Sequence, residues 1–418
     1  MKRLGCVIIL VHFVLEFECV SNNICPTYDD YYTVKDNPNC WYDFTADSNA
    51  TEIVIKHGYP LEIHRVVTPD GYILTVFRIP NYNSPNAALR KTPVFLQHGL
   101  ASTSANFLGK GKDSLAFILA DAGYDVWLGN FRGTEYSEGH VNLTVADKRY
   151  WDHSMDEIGL LDIPMQLELV AEKTGQRGNI IYIGHSLGTT VGLIYGSWYP
   201  HQAKETVKLF ILLAPAAYLS NMLSPARFMA PFADQLYRMM DSNDMIRIGS
   251  QAEPLRNMIQ PFCLESPVLM RRCLDMLNML YGPKTQMGPD MIPIYFKQLP
   301  AGTSLKVTRH AGDMVLNNFR KYDHGINNMK VYGTYLPPIY DVSKIEVPVF
   351  IMYAVNDWTC TKRDSLVLYR KLPKKAKVYG IHEITEPNFN HIDFLFGKNV
   401  KSLVYDNILA LIEKLNQN

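Results

Sequence analysis

The sequence predicts an α/β fold: a mostly parallel central sheet covered by helices, with one inserted cap. Two observations carry this. Unbroken apolar runs of strand length stand at Pro93 to Gln97, Tyr124 to Leu128, Ile180 to Ile183, Leu209 to Leu213 and Val347 to Tyr353, as suits strands buried on both faces. Between them, segments such as Lys112 to Ala122 and Met155 to Lys173 are long enough for the crossover helices that parallel strands require. The alternation breaks from about Ala216 to Ile345, a stretch rich in Met and Pro without clear strand runs.

Composition agrees with a folded chain. At 418 residues, it has room for two or three units or one large domain with an insertion. Apolar residues make up 47% and charged residues 20%, an ordinary globular balance that excludes wholesale disorder. Lys plus Arg and Asp plus Glu both number 41, so the formal net charge is zero. With no run of five or six like charges, nothing draws nucleic acid.

In chain order, Lys2 and Arg3 precede an apolar stretch from Leu4 to Leu15, interrupted only by Gly5 and His12. That length fits the apolar region of a signal peptide and is too short to span a bilayer. Cys19 and Ser21 are small enough for the −3 and −1 sites, so residues 1–21 are expected to be removed, although Glu16 and Glu18 are unusual there. No later stretch is long and apolar enough to be a transmembrane segment, so a secreted, lysosomal or otherwise lumenal protein is expected. Cleavage leaves Cys25, Cys40, Cys263, Cys273 and Cys360. In an oxidising compartment the sequence-near pairs Cys25–Cys40 and Cys263–Cys273 are the candidate disulfides, with Cys360 free. Asn49-Ala50-Thr51 and Asn142-Leu143-Thr144 are glycosylation sequons.

A Tyr- and Asn-rich lead occupies residues 22–50, and the first part of the core runs over 51–215. Val66-Val67 and Tyr72 to Ile79 flank Pro69-Asp70-Gly71 and read as a hairpin. The cap is placed at 216–345 and the second part of the core at 346–418. Within the cap, Phe228, Met229, Phe232, Leu236, Met239 and Met240 recur at helical spacing. They form either the core face of a cap helix or the underside of a mobile cover that meets lipid.

The chemistry centres on Ile180-Ile181-Tyr182-Ile183-Gly184-His185-Ser186-Leu187-Gly188-Thr189-Thr190. A G-x-S-x-G here follows a β-branched strand and opens a helical segment from Thr189 to Trp198, the strand–turn–helix setting of a nucleophile elbow. Gly184 and Gly188 remove side chains where strand and helix pass closely. Ser186 is the expected nucleophile of an α/β-hydrolase fold. Its base and acid must lie downstream, acid before histidine. Asp357 follows the Val347–Tyr353 strand, and His391 lies in the loop Asn388 to Phe394. Asp364, in a helix-like segment and read as solvated, and His382, in the strand-like Val378 to Ile384 run, are the lesser candidates. Backbone N–H groups of Leu187 and of Leu100, in Gln97-His98-Gly99-Leu100, are the expected oxyanion donors. His98 reads as a structural residue of the site floor. Zinc and calcium signatures are lacking, and Gly109-Lys110-Gly111-Lys112-Asp113 lacks the Ser or Thr of a phosphate loop. No metal or cofactor is expected.

These residues resemble the acid lipase family, the group of gastric and lysosomal acid lipases. The matching stretches are Gly58-Tyr59-Pro60-Leu61-Glu62-Ile63-His64, Thr68 to Leu74, Gln97 to Leu100, Gly129-Asn130-Phe131-Arg132-Gly133, Gly184 to Thr190, Pro300 to Ser304, Tyr322 to Gly325 and Asn390 to Phe394. The resemblance implies a lipase or steryl-ester hydrolase with a cap over the site, a triad of Ser186, Asp357 and His391, and oxyanion donors at Leu100 and Leu187. Its partner would be a lipid ester at an oil–water or membrane interface. The chain departs from the family at Leu187 and at Asp313, both usually Gln, and in its lead. The rival functions on such a fold are an acyltransferase, an esterase of small soluble esters and a catalytically silent lipid carrier.

Overall fold

A computed structural model describes residues 21–80, 92–243, 247–248 and 254–417, so the expected signal peptide lies outside the described residues except for Ser21. The strands are β1 (Glu62–Val67), β2 (Tyr72–Ile79), β3 (Pro93–Gln97), β4 (Asp125–Gly129), β5 (Gly139–His140), β6 (Ile180–His185), β7 (Val207–Leu213), β8 (Arg247–Ile248), β9 (Thr303–Ser304), β10 (Val349–Ala354) and β11 (Ile381–Ile384). Nine of them make the central sheet, in the order β1-β2-β4-β3-β6-β7-β10-β11 with β5 on β2. From β4 to β11 every neighbouring pair is parallel; β1, β2 and β5 pair antiparallel.

The parallel strands β3, β4, β6, β7 and β10 coincide with the unbroken apolar runs because each is covered on both faces, whereas the edge strand β11 is only half-buried and matches none of them. β3, β4 and β6 are buried along their whole lengths. The covering helices include Leu115–Asp121, Ile163–Thr174 and Leu187–Trp198. The second of these stops at Gly175, whose φ of +66° supplies the left-handed residue that ends a helix.

β1 begins earlier than its apolar residues indicate. Its pattern is inverted for an edge strand: Ile63 and Val67 are exposed, while Glu62 and His64 are half-buried. Arg78 of β2 explains this. Its guanidinium bridges Glu62 (2.9 Å) and Asp125 (2.8 Å) and lies over the Trp127 ring. The two-residue strands β5, β8 and β9 are too short to carry a periodic signal.

Between β7 and β10 the chain leaves the sheet and forms the helices Ala233–Ser242, Pro254–Leu264, Pro267–Tyr281, Ile292–Gln298 and Leu305–Asn317, with the β8–β9 ribbon among them. The Met- and Phe-rich row does not form one helix face. A 3-10 segment, Pro225–Phe232 with Pro231 inside it, precedes the helix from Ala233. Leu236 and Met240 line a cavity and are half-buried, Met229 lines it while staying exposed, and Phe228, Phe232 and Met239 are exposed. None of the six is buried, so the core-face alternative does not describe them.

One buried ion cluster ties the loops beside the sheet's C-terminal edge. Arg132, after β4, is fully buried; it donates to Asp162 through Nε (2.9 Å) and Nη2 (2.5 Å) and to Asp70 through Nη1 (2.6 Å). This joins the hairpin turn to a crossover helix. The preceding Phe131 N–H donates to His98 Nε2 (3.2 Å), connecting the cluster to the loop after β3. Arg132→Met is expected to lower the unfolding free energy by about 3–5 kcal/mol, because it strands the buried Asp162 carboxylate. Adding Asp162→Asn is expected to recover part of that loss in equilibrium denaturation.

Candidate active site

The turn after β6 dictates where Ser186 stands. Ser186 adopts φ +52° and ψ −118°, a strained conformation for a residue with a side chain, costing about 1–3 kcal/mol. Its N–H donates to the Leu213 carbonyl at the end of β7 (3.0 Å). A Cβ on Gly184 would lie 2.6 Å from the Gly188 carbonyl carbon, and one on Gly188 would lie 2.8 Å from the His98 carbonyl. Only glycine lets the helix pass this close to β3 and β6.

The structure brings Ser186, His391 and Asp357 together. His391 Nε2 lies 2.9 Å from Ser186 Oγ, and His391 Nδ1 lies 2.8 Å from Asp357 Oδ2. Asp357, just beyond β10, also accepts at Oδ1 from the Thr359 (2.8 Å) and Cys360 (2.7 Å) backbone N–H groups. That fixes its carboxylate and leaves Oδ2 for the imidazole. Asp357 and His391 are buried, and Ser186 is partly open. His382 sits in β11, paired opposite Met352.

Asp364 is not solvated as its sequence context indicates. It is buried, capped by Thr361, and accepts from the Asn221 backbone (3.1 Å) and side-chain amides (2.6 Å). It therefore anchors the chain leaving β7 towards the cap.

Leu100 and Leu187 line the same cavity as Ser186. A Cβ on Gly99 would lie 3.2 Å from Ser186 Cβ, which shows how near the loop after β3 comes to that serine. Ala101, with φ +49°, turns that loop, and its carbonyl accepts from Ala301 N–H of the cap (2.8 Å). The cavity measures about 410 Å³, and its wall is mostly apolar: Leu187, Leu219, Met222, Leu280 and Met314 join the cap residues named above.

Arg309 is the single charged side chain on that wall among the described residues. It donates to the Tyr322 hydroxyl (2.6 Å) and the Asp323 carbonyl (2.7 Å) and pairs with Asp234 of the Ala233–Ser242 helix (3.2 Å). Asp313 stands one helical turn beyond it, at 3.9 Å from Nε, where burial pushes its carboxyl up to about 6.

Two buried histidines frame the floor. His98 Nδ1 donates to the Gly99 carbonyl (2.9 Å) while its Nε2 accepts from Phe131 N–H, which fixes a neutral tautomer. His185 Nε2 donates to the His391 carbonyl (3.1 Å). Asp357, Cys360 and His391 form a His/Cys/Asp/Glu group close enough to hold a cation, but the donors do not fit one. Both Asp357 oxygens and both His391 nitrogens already carry hydrogen bonds, and burial keeps the Cys360 thiol protonated.

Cys25–Cys40 and Cys263–Cys273 are bonded, and Cys360 is free and buried. Asn49 and Asn142 are both exposed. Sequence reasoning missed Tyr281, which lines the cavity and stacks on His391. It also missed Asn356 and Asn390, which hold the cap to the loops of Asp357 and His391. Nothing local distinguishes these residues; only their meeting across the fold does.

The buried histidines give a pH signature. Burial pushes His98 down from 6.5 to about 4, and burial with the neighbouring His391 pushes His185 down to about 3. Below pH 6.5 the unfolded chain takes up protons that the folded one refuses. Stability therefore falls as pH drops, by ~1.4 kcal/mol per pH unit for each such group. His98→Gln is expected to shrink the stability lost between pH 7 and pH 5 by about 2 kcal/mol, measured by urea unfolding at both pH values.

Comparison with known proteins agrees with this fold. Residues 50–111 match a partial alpha/beta-hydrolase lipase region, and residues 92–254 match the alpha/beta hydrolase fold. Lipase member K of Mus musculus is 34% identical over 379 residues, covering 89% of this chain and 93% of its own. Gastric triacylglycerol lipase of Rattus norvegicus is 34% identical over 378 residues, covering 88% and 92%. Lipase 3 of Drosophila melanogaster is 34% identical over 371 residues, covering 88% and 93%. A soluble variant of the monoglyceride lipase of Saccharomyces cerevisiae shares the fold, with a TM-score of 0.51 at 15% identity over 85% of this chain and 96% of that one. Identity of this level across nearly the whole length places the chain in the α/β-hydrolase lipase family that includes lipase member K and gastric triacylglycerol lipase.

Proposed function

We propose that this protein is a secreted or lysosomal serine lipase that hydrolyses hydrophobic carboxylic esters, such as acylglycerols or steryl esters, through an acyl-enzyme on Ser186. The observation that carries the reading is the hydrogen-bonded chain Asp357–His391–Ser186 opening onto an apolar cavity. A gastric triacylglycerol lipase among the relatives supports the substrate class.

In this mechanism Ser186 Oγ attacks the ester carbonyl carbon and its proton passes to His391 Nε2. Asp357 stays ionised, orients the Nδ1–H and stabilises the imidazolium. The Leu100 and Leu187 N–H groups receive the oxyanion, each such donor being worth about 2.7–4 kcal/mol of barrier. Collapse of the tetrahedral intermediate breaks the ester C–O bond, and the departing alcohol takes the proton from Nε2. Water then attacks the acyl carbon, gives a proton to the same nitrogen, and the fatty acid leaves as Ser186 is restored. Leu187 keeps the wall above the nucleophile apolar. Secretion rests on the N-terminal apolar stretch, the two disulfides and the exposed sequons at Asn49 and Asn142, proposed as glycosylation sites. The reading calls for no metal or cofactor.

The test is fatty-acid release from emulsified long-chain triacylglycerol and from a steryl ester at about pH 5 and about pH 7, where histidine changes charge. The parent should release acid and Ser186→Ala should not. Release by both would remove Ser186 from the mechanism, and cleavage of short soluble esters alone would reduce the activity to an esterase. Asp357→Asn is expected to lower kcat by roughly 10³–10⁴-fold while leaving the fold intact, because the imidazole loses the partner that fixes its tautomer. A phosphonate ester should label Ser186 in the parent, located by peptide mass analysis.

A further inference from the structure

The end of the cap helix Pro267–Tyr281 is built into the catalytic loops. The Tyr281 carbonyl accepts from Trp358 N–H (3.0 Å), and the Leu280 carbonyl accepts from Thr359 Oγ1 (3.1 Å), both from the loop of Asp357. Asn356 Nδ2 donates to the Lys284 carbonyl (2.7 Å). From the other loop, Asn390 Nδ2 donates to the Gly282 carbonyl (3.1 Å), next to His391. Gly282, at φ +138°, threads between the two: a Cβ there would lie 2.9 Å from Asn390 Cβ and would strike the Asn356 carbonyl. The helix exit is thus hydrogen-bonded to both loops at once.

At this junction the Tyr281 ring stacks on the His391 imidazole, with centroids 5.4 Å apart and planes 11° from parallel. Burial keeps its phenol protonated, with Tyr295 as its hydrogen-bonding neighbour. The same side chain lines the cavity beside Ser186.

We propose that Tyr281 is a positioning residue for catalysis: the cap lays its aromatic face against His391, holding the imidazole plane in line with Ser186 and Asp357 and stabilising it when it carries the proton. The proposal rests on His391 being the base of the reaction above. The physical reason is twofold. Parallel stacking permits the ring to slide in its plane but resists tilting, which would break the bonds at Nδ1 and Nε2. A π face also attracts a cation, and the imidazole becomes one only as Ser186 loses its proton. The contact therefore strengthens towards the transition state and acts on kcat more than on KM.

The experiment compares Tyr281→Leu, Tyr281→Met and Tyr281→Phe in the full secreted chain on a soluble ester and on emulsified triacylglycerol, beside the parent and Ser186→Ala. Leu and Met are expected to lower kcat by roughly 3- to 30-fold with KM changed less than twofold, and Phe, which keeps the ring, is expected to recover most of the rate. Met fills the volume with a flexible chain, so the Met–Phe contrast carries the test if the Leu variant fails to fold. Equal rates for Phe and Met, or a loss confined to KM, would overturn the positioning role and leave Tyr281 as cavity wall. Residual hydrolysis by Ser186→Ala would instead count against the acyl-enzyme reading, whatever the Tyr281 variants do.

Discussion

Much of the architecture follows from one steric constraint: β6 and the helix after it must pass so closely at Gly184 and Gly188 that the intervening Ser186 is forced to positive φ. A residue so placed cannot relax into the strand or the helix, and its hydroxyl is left at the C-terminal edge of the sheet. The parallel arrangement of β3, β6, β7, β10 and β11 then makes that edge a meeting place, since the loops after β3, β10 and β11 all open there. The loop after β3, Asp357 and His391 are contributed by separate connections, each of which leaves the same edge of the sheet. The strain at Ser186 persists because β3, β6 and β7 hold both ends of the turn, the last through the Ser186–Leu213 hydrogen bond.

Around this edge several buried charged and imidazole groups are tied into hydrogen bonds of their own. His98 and His185 spend donors on the Gly99 and His391 carbonyls and stay neutral. Arg132 is neutralised by Asp162 and Asp70. Asp357 receives two backbone N–H groups before it meets His391. The cap then covers the site with a mostly apolar wall whose single charged side chain among the described residues, Arg309, is answered by Asp234 and Asp313. Such an enclosure selects for hydrophobic groups on the ester and raises the worth of each remaining electrostatic contact.

Two parts of the cap stand in different relation to that enclosure. The exit of the Pro267–Tyr281 helix is hydrogen-bonded to the acid and histidine loops, so its position and that of His391 are one problem. The Pro225–Ser242 segment places Leu236 and Met240 on the cavity wall, Met229 at its exposed rim, and Phe228, Phe232 and Met239 on the exposed surface. Helical spacing reveals the abundance of such residues, but Pro231 changes the helix type midway, so spacing misassigns them to one face.

By itself, the sequence determined whatever depends on local chemistry and short-range pattern. It marked the inner parallel strands, because two-sided burial leaves unbroken apolar runs. It marked the elbow, because glycine at 184 and 188 is a local steric need, and it brought forward Asp357 and His391, because strand ends and chain order limit the choices. β1 escaped full recognition because Arg78, on another strand, reverses its burial pattern. Asp364 was misjudged as solvated because its partner, Asn221, is distant in sequence. Tyr281 carried no signal at all, since its role arises only where a cap helix meets two loops of the core. Those contacts were decided by tertiary structure alone, because hydrogen bonding and stacking between residues far apart in the chain leave no period or spacing to read.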